Sequence, residues 1–228
     1  LCEMNGKNAN MLMDIKTKVL KAGESFTIYD ANNETAILLL SGDVEYSFDG
    51  KTENAKRENQ FVDRPYCVHF SRNNEVTVTA NADSRILIQQ TDNENDFGFV
   101  WYSSENVILQ EFGKDQWNGT AHRQVLTLFD YENAPYSNMV LGEVIHKPGC
   151  WSSYPPHYHP QPEVYYYEFD KPQGFGVGFN GDDCYKVEDQ GVLCITPMKT
   201  HQQVAAAGYS MCYVWMIRHL ENDPWIKT

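Results

Sequence analysis

His157, His159, Glu163 and His201 are the residues of this 228-residue chain whose types and spacing could do chemistry together. Three imidazoles and one carboxylate are all good ligands for a first-row divalent metal. His157 and His159 lie two apart, so in an extended chain both rings project to one face. Pro160 and Pro162 deny the following backbone a regular strand, and counting alone does not place Glu163 against the rings. From Glu163 onward the run Val164, Tyr165, Tyr166, Tyr167 reads as a strand, with Tyr165 and Tyr167 on the face of Glu163 and Val164 and Tyr166 on the other. Downstream, Val192 to Ile195 reads as an apolar strand that stops at Pro197 and leaves His201 just past the turn. An isolated His-x-His is common by chance. The added Glu, and the strand, Pro turn and third His downstream, make this a site for one divalent ion (Zn, Mn or Fe).

Four protein ligands on an ion of six-coordinate character leave two neighbouring positions open. A hydroxy-carbonyl compound fits them, so the ion can polarise a carbonyl and stabilise a developing enediolate. A base then moves a proton between adjacent carbons and converts an aldose to a ketose. Tyr165, Tyr167, Lys199 and Glu168 are the candidate bases, each needing a pKa brought towards neutrality. Core packing is the plain alternative for the two tyrosines.

Gly149 leading into His157-x-His159-x3-Glu163, then Gly191-x5-Pro197-x3-His201, resembles the paired motifs of the cupin superfamily of small β-barrels. The run Trp151-Ser-Ser-Tyr154-Pro-Pro-His157-Tyr-His159 narrows the likeness, with Leu141-Gly142-Glu143-Val144 before it and Pro172-Gln-Gly-Phe175 after. Gly119-Thr-Ala-His122-Arg123 and Val204-Ala-Ala-Ala-x-Tyr209 extend it. Together they resemble the 5-deoxy-glucuronate isomerase family of inositol catabolism, densely from about residue 117 to 215. The resemblance implies a metal-dependent aldose-ketose isomerase of a deoxy-uronic acid, with Tyr154 and Arg123 contacting the substrate. A guanidinium suits a carboxylate because it can bind it bidentately; a plain surface charge is the alternative for Arg123, and Lys199 is the second choice. Three departures stand out. Only Pro160-Gln-Pro162 separates the His pair from the Glu where the family carries a longer acidic insertion, Glu168 stands where the family places Arg, and Trp215 where it places Asn. Two other readings use the same ligands: a cupin dioxygenase with Fe(II), and a cupin that binds a sugar acid without turning it over.

The elements that must position these residues read as β-structure throughout. Ala36 to Leu40 is an apolar run, and Val44 to Phe48 alternates strictly before Asp49-Gly50, a strong hairpin signal. Glu75 to Thr79 and Arg85 to Gln89 follow, with a turn between them, and Val125 to Phe129, Met139 to Ile145 and Met211 to Ile217 supply strands of the second half. No stretch of residues 12 to 91 sustains a helical apolar period for three turns. The expected fold is all-β, two tandem cupin-type (double-stranded β-helix, jelly-roll) barrels. Residues 1–100 would form a degenerate barrel without metal, and 101–228 the metal-binding barrel. Ser41-Gly42-Asp43 and Arg64-Pro65-Tyr-Cys-Val-His69 lie where a first pair of motifs would, lacking the His pair and the Glu, so His69 reads as structural. Phe97 to Tyr102 reads as a strand tying the halves together, and His219 as a surface residue.

Composition bounds the partners. With 42% apolar and 13% aromatic residues the chain has ample material for a packed core. A net charge of −13 disfavours nucleic acid and anionic membranes, so an acidic substrate must be drawn in by a local cation or metal. The six cysteines show no CxxC pattern and read as reduced thiols. No apolar run approaches the ~20 residues of a membrane span, and Leu1 to Asn10 has no signal-peptide core. The expectation is a cytoplasmic protein with a small sugar acid as its partner, and homo-oligomerisation left open.

Overall fold

A computed structural model describes residues 1–227. The chain divides into two compact units, residues 1–107 with 135–138, and residues 108–134 with 139–228. The division falls seven residues after the expected boundary, and a short later segment belongs with the first unit. No helix among the described residues is long and apolar enough to cross a membrane.

The first unit carries strands β1 (Asp14–Leu20), β2 (Ser25–Tyr29), β3 (Asn33–Phe48), β4 (Lys51–Arg57), β5 (Tyr66–Phe70), β6 (Glu75–Ala80), β7 (Ser84–Asp92) and β8 (Phe99–Tyr102). They pair antiparallel in the order β1-β7-β3-β5-β8, with β4 and β6 also on β3 and β2 on β6. The two runs read separately at 36–40 and 44–48 are one sixteen-residue strand. Gly42 explains why it continues. Its φ is +118°, the register shifts between Leu39 and Ser41, and an added Cβ would lie 2.6 Å from the Ser84 backbone. Only glycine lets the chain bend there without leaving the ladder. Asp49 and Gly50 both have positive φ, as the expected hairpin turn requires. β8 pairs with β5 inside this unit, so Phe97 to Tyr102 does not join the halves. The core gathers Ile37, Leu39, Tyr46 and Phe70 with Val76 and Ile88.

The second unit holds β9 (Ile108–Phe112), β10 (Arg123–Phe129), β11 (Met139–His146), β12 (Trp151–His157), β13 (Glu163–Phe169), β14 (Phe175–Asn180), β15 (Asp183–Glu188), β16 (Val192–Ile195), β17 (His201–Ala205) and β18 (Met211–Arg218). One sheet runs β16-β13-β18-β11-β10-β9, the other β12-β17-β14-β15. Tyr165, Tyr167, Tyr213 and Ile217 of the first sheet pack with Val187 and Ala205 of the second in one core, the two-layer arrangement of a jelly roll. Along β13 every residue is buried, yet only Tyr165, Tyr167 and Phe169 enter that core. The period of two expected for this strand is therefore present.

Candidate metal centre and its pocket

Three strand ends bring the four expected donors together. His157 is the last residue of β12 and pairs directly with His201, the first of β17. Glu163 opens β13 opposite Ile195. Between them the Pro160 to Pro162 segment makes no ladder, and the Met198 N–H donates to the His159 carbonyl at 2.9 Å, tying the Pro197 turn to the histidine loop. One ligand nitrogen from each of His157, His159 and His201 lies within 4.8 Å of the others. Glu163 Oε2 is 3.2 Å from both His159 Nε2 and His201 Nε2. Neighbouring donors on an ion with ~2.1 Å bonds stand about 3 Å apart, so the carboxylate spacing already suits a shared ion.

The tautomers fit too. His157 Nδ1 faces the Pro155 carbonyl at 3.3 Å, His159 Nδ1 the Gln161 carbonyl at 2.9 Å, and His201 Nδ1 the Lys199 carbonyl at 3.0 Å. A carbonyl only accepts, so each Nδ1 carries the proton and each Nε2 keeps a lone pair. Such backbone anchoring is how metal-ligating histidines are oriented. Two of these nitrogens face a carboxylate oxygen, an arrangement that is relieved only by protonating the rings or by placing a cation among them. Burial opposes ionisation of Glu163, but the His159 and His201 rings, when protonated, donate to it and hold its carboxyl well below the usual range. His201 is buried, which lowers its pKa, and Glu163 more than offsets that and raises it. Partial desolvation, then the neighbouring His201, lowers His157.

His157, His159 and Glu163 line a cavity of about 660 Å³, with His201 behind them and outside the lining. Arg123, Ser153, Tyr154, Tyr165, Tyr213 and Trp215 line it beside them. Arg123 donates to the carbonyls of Ala121 (3.0 Å) and Tyr154 (3.2 Å) and lies 5.4 Å over the Phe112 ring. Burial lowers its pKa, yet a guanidinium stays charged. Tyr154 itself packs edge-on against Trp117, its ring centroid 5.0 Å away. The hydroxyls of Tyr165 and Tyr213 each stand 3.5 Å from Ser153 Oγ. Burial pushes the Tyr165 phenol well above its ordinary value and Tyr213 up to about 12. Both phenols favour the protonated form, in which they donate hydrogen bonds.

Three candidate bases lie elsewhere. Tyr167 is in the core, its hydroxyl given to Gln203 Oε1. Glu168 falls on the other face of β13 and does not line the cavity. Lys199 is exposed in the turn, where its backbone carbonyl rather than its ammonium serves the site by holding His201. His219, expected at the surface, is 3% exposed and its Nδ1 accepts the Trp225 N–H at 2.9 Å. Tyr213, Trp225 and Lys227 also line the cavity without having been singled out. Tyr213 sits opposite Tyr167 and two residues before Trp215 on β18, so alternation along that strand was the signal that could have found it. Trp215 fills the wall where an Asn was expected. Its ring lies 5.4 Å from that of Trp225, tilted at 56°, and it covers Gly142, where an added Cβ would meet its Nε1 at 2.5 Å.

Known proteins resemble the chain in sequence and in fold. A 5-deoxy-glucuronate isomerase from Bacillus licheniformis is 26% identical over 251 residues, covering 98% of this chain and 91% of that protein. The crystal structure of an IolB-like protein from Salmonella typhimurium LT2 superposes with a TM-score of 0.83 at 23% identity, covering 90% of this chain and 83% of that one. A cupin 2 conserved barrel domain protein from Leptotrichia buccalis aligns at a TM-score of 0.51 and 11% identity over 90% of this chain and 83% of its own. The fold is of the cupin jelly-roll type. The KduI/IolB family matches residues 1–228, and the chain belongs to that family.

Proposed function

We propose that this chain is an aldose-ketose isomerase of a deoxy-uronic acid of the 5-deoxy-glucuronate type, with one divalent ion held by His157, His159, Glu163 and His201. The observation that carries the ion is the cluster of three backbone-anchored imidazoles, His157, His159 and His201, with Glu163 against two of their nitrogens. The substrate class is supported by the family and by the name of the Bacillus relative. An ion bound there supplies Lewis-acid polarisation of a hydroxy-carbonyl pair. The protein's own groups do the rest. Tyr165 and Tyr213, kept protonated by burial, offer hydroxyl donors beside the cluster, where they can stabilise a developing oxyanion. Arg123, committed only to carbonyls, offers its charge to the substrate carboxylate. Trp215 and Trp225 wall the cavity against water. In this reading the first unit is a metal-free barrel serving as scaffold, its one histidine bound to Glu34 at 2.8 Å. The net charge of −13 supports a small-molecule partner rather than nucleic acid or an anionic membrane, and a cytoplasmic setting suits such a partner.

Chelation should abolish turnover of 5-deoxy-glucuronate under argon, and divalent metal should restore it. His201→Ala should lower bound metal by more than about tenfold while the barrel stays folded. Metal content unchanged in that variant would remove the ligand assignment. Substrate loss that requires oxygen would replace isomerisation with dioxygenase chemistry.

A further inference from the structure

We infer that Lys227, carried on a strap that follows β18, binds the substrate carboxylate together with Arg123. The inference rests on the sugar-acid reading above and adds a residue and a segment to it. Beyond Arg218 the chain turns back on itself, with Leu220 and Asp223 exchanging backbone hydrogen bonds at 3.3 and 3.1 Å. Asp223 then offers its carbonyl to Gln161 Nε2 at 2.8 Å, and the Trp225 N–H donates to His219 Nδ1 at 2.9 Å. Gln161 lies between His159 and Glu163 and is itself buried. The strap is therefore pinned to the loop that carries two of the four donors. Trp225, 6.3 Å from the His159 ring and 5.4 Å from Trp215, becomes a cavity wall, and Lys227 follows it into the lining.

The charge arrangement at that wall favours an anion. Lys227 Nζ stands 5.6 Å from the Phe112 ring centroid, the same ring that carries the Arg123 guanidinium at 5.4 Å. Its hydrogen-bond partners are neutral, Gln110 Oε1 and, at 3.3 Å, Thr127 Oγ1. Asp130 and Glu132 act on it only through space. Among the described residues no carboxylate pairs with Arg123 or Lys227. Of the cavity's two carboxylates, Glu163 belongs to the donor cluster, and Glu111 at the rim faces His122 at 3.8 Å and Lys114 at 3.9 Å. The Arg123 guanidinium and the Lys227 ammonium thus share the Phe112 ring and the cavity lining, and neither is neutralised by a paired carboxylate. A carboxylate has lone pairs enough to accept from a guanidinium fork and an ammonium at once. The substrate would then lie with its carbonyl end at the donor cluster and its carboxylate at the Arg123–Lys227 wall.

Calorimetric titration of the intact, metal-loaded chain tests this, with D-glucuronate as the anionic probe and its methyl ester as the uncharged one. Wild type is expected to bind glucuronate at least about tenfold more tightly than the ester, a difference on the scale of one charge-assisted hydrogen bond. Lys227→Met should lose about tenfold in glucuronate affinity, keep its ester affinity, and retain wild-type metal content and melting temperature. Lys227→Arg should recover most of the loss. Unchanged glucuronate affinity in Lys227→Met, or an equal loss for acid and ester, overturns the role of Lys227 and leaves the sugar-acid reading standing. Wild-type protein that binds neither probe overturns that reading, and the inference with it.

Discussion

Glu163 and His201, far apart in sequence, face each other across two strand ends with Oε2 3.2 Å from Nε2. His201 is fully buried and Glu163 4% exposed, so neither charge is screened by water. His201 cannot turn away, because its other nitrogen donates to the Lys199 carbonyl. A carboxylate and a fixed lone pair in such a place are held by the fold against their own preference, and a cation reverses the sign of that interaction.

His69→Ala should leave metal content and turnover within about twofold, in keeping with a residue remote from the donor cluster. Stability is another matter. Glu34, fully buried, accepts from His69 Nε2 and Ser137 Oγ at 2.8 Å each, the Asn138 N–H at 2.6 Å and Asn93 Nδ2 at 3.1 Å. Removing one donor from a buried carboxylate costs ~1.5–3 kcal/mol. Urea unfolding should show that loss, and an unchanged midpoint would mean that Glu34 finds a replacement donor.

Acid should weaken the second unit through His146. This ring is buried, and burial first, with Arg123 adding to it, lowers its pKa from 6.5 to about 4. Arg123 is its direct partner across the β10–β11 ladder. The native state therefore keeps His146 neutral where the unfolded chain protonates it. The resulting stability is complete above pH 6.5 and is lost as pH falls towards 4, at most about 3 kcal/mol. Denaturant midpoints at neutral pH and near pH 4.5 should converge in His146→Gln relative to wild type. An identical acid slope in both proteins would exclude this origin.

Gly142→Ala should be poorly tolerated although its strand is regular. The new methyl would meet Trp215 Nε1 at 2.5 Å and the Leu126 carbonyl at 2.6 Å. Overpacking of this kind costs ~1–3 kcal/mol. Because Trp215 is a cavity wall, KM should rise along with the loss of stability. A variant with unchanged melting temperature and KM would show that the indole moves aside freely.

Much of the site was legible because its information is local. His157 and His159 share a short loop, and Pro197 with His201 mark a turn that any β-barrel must close. The period of two also separates Glu168 from Tyr167 and puts it on the other face of β13. Lys199 reads as a cation in sequence, whereas the fold uses its carbonyl. The long β3 was hidden because Ser41-Gly42 reads as a stop, while a bulge and one positive φ carry the ladder through it. Lys227 carried no signal at all. Its place depends on Gln161 and His219 catching the strap, contacts that no spacing encodes.

Isomerisation can be followed by proton NMR of 5-deoxy-glucuronate with metal-loaded protein in deuterium oxide under argon. The 2-keto isomer should appear without oxygen, the C2-derived proton should exchange with solvent through the shared base, and His201→Ala should abolish the conversion. Sugar acid recovered unchanged from a fully metal-loaded protein, with or without added divalent ion, would contradict isomerisation.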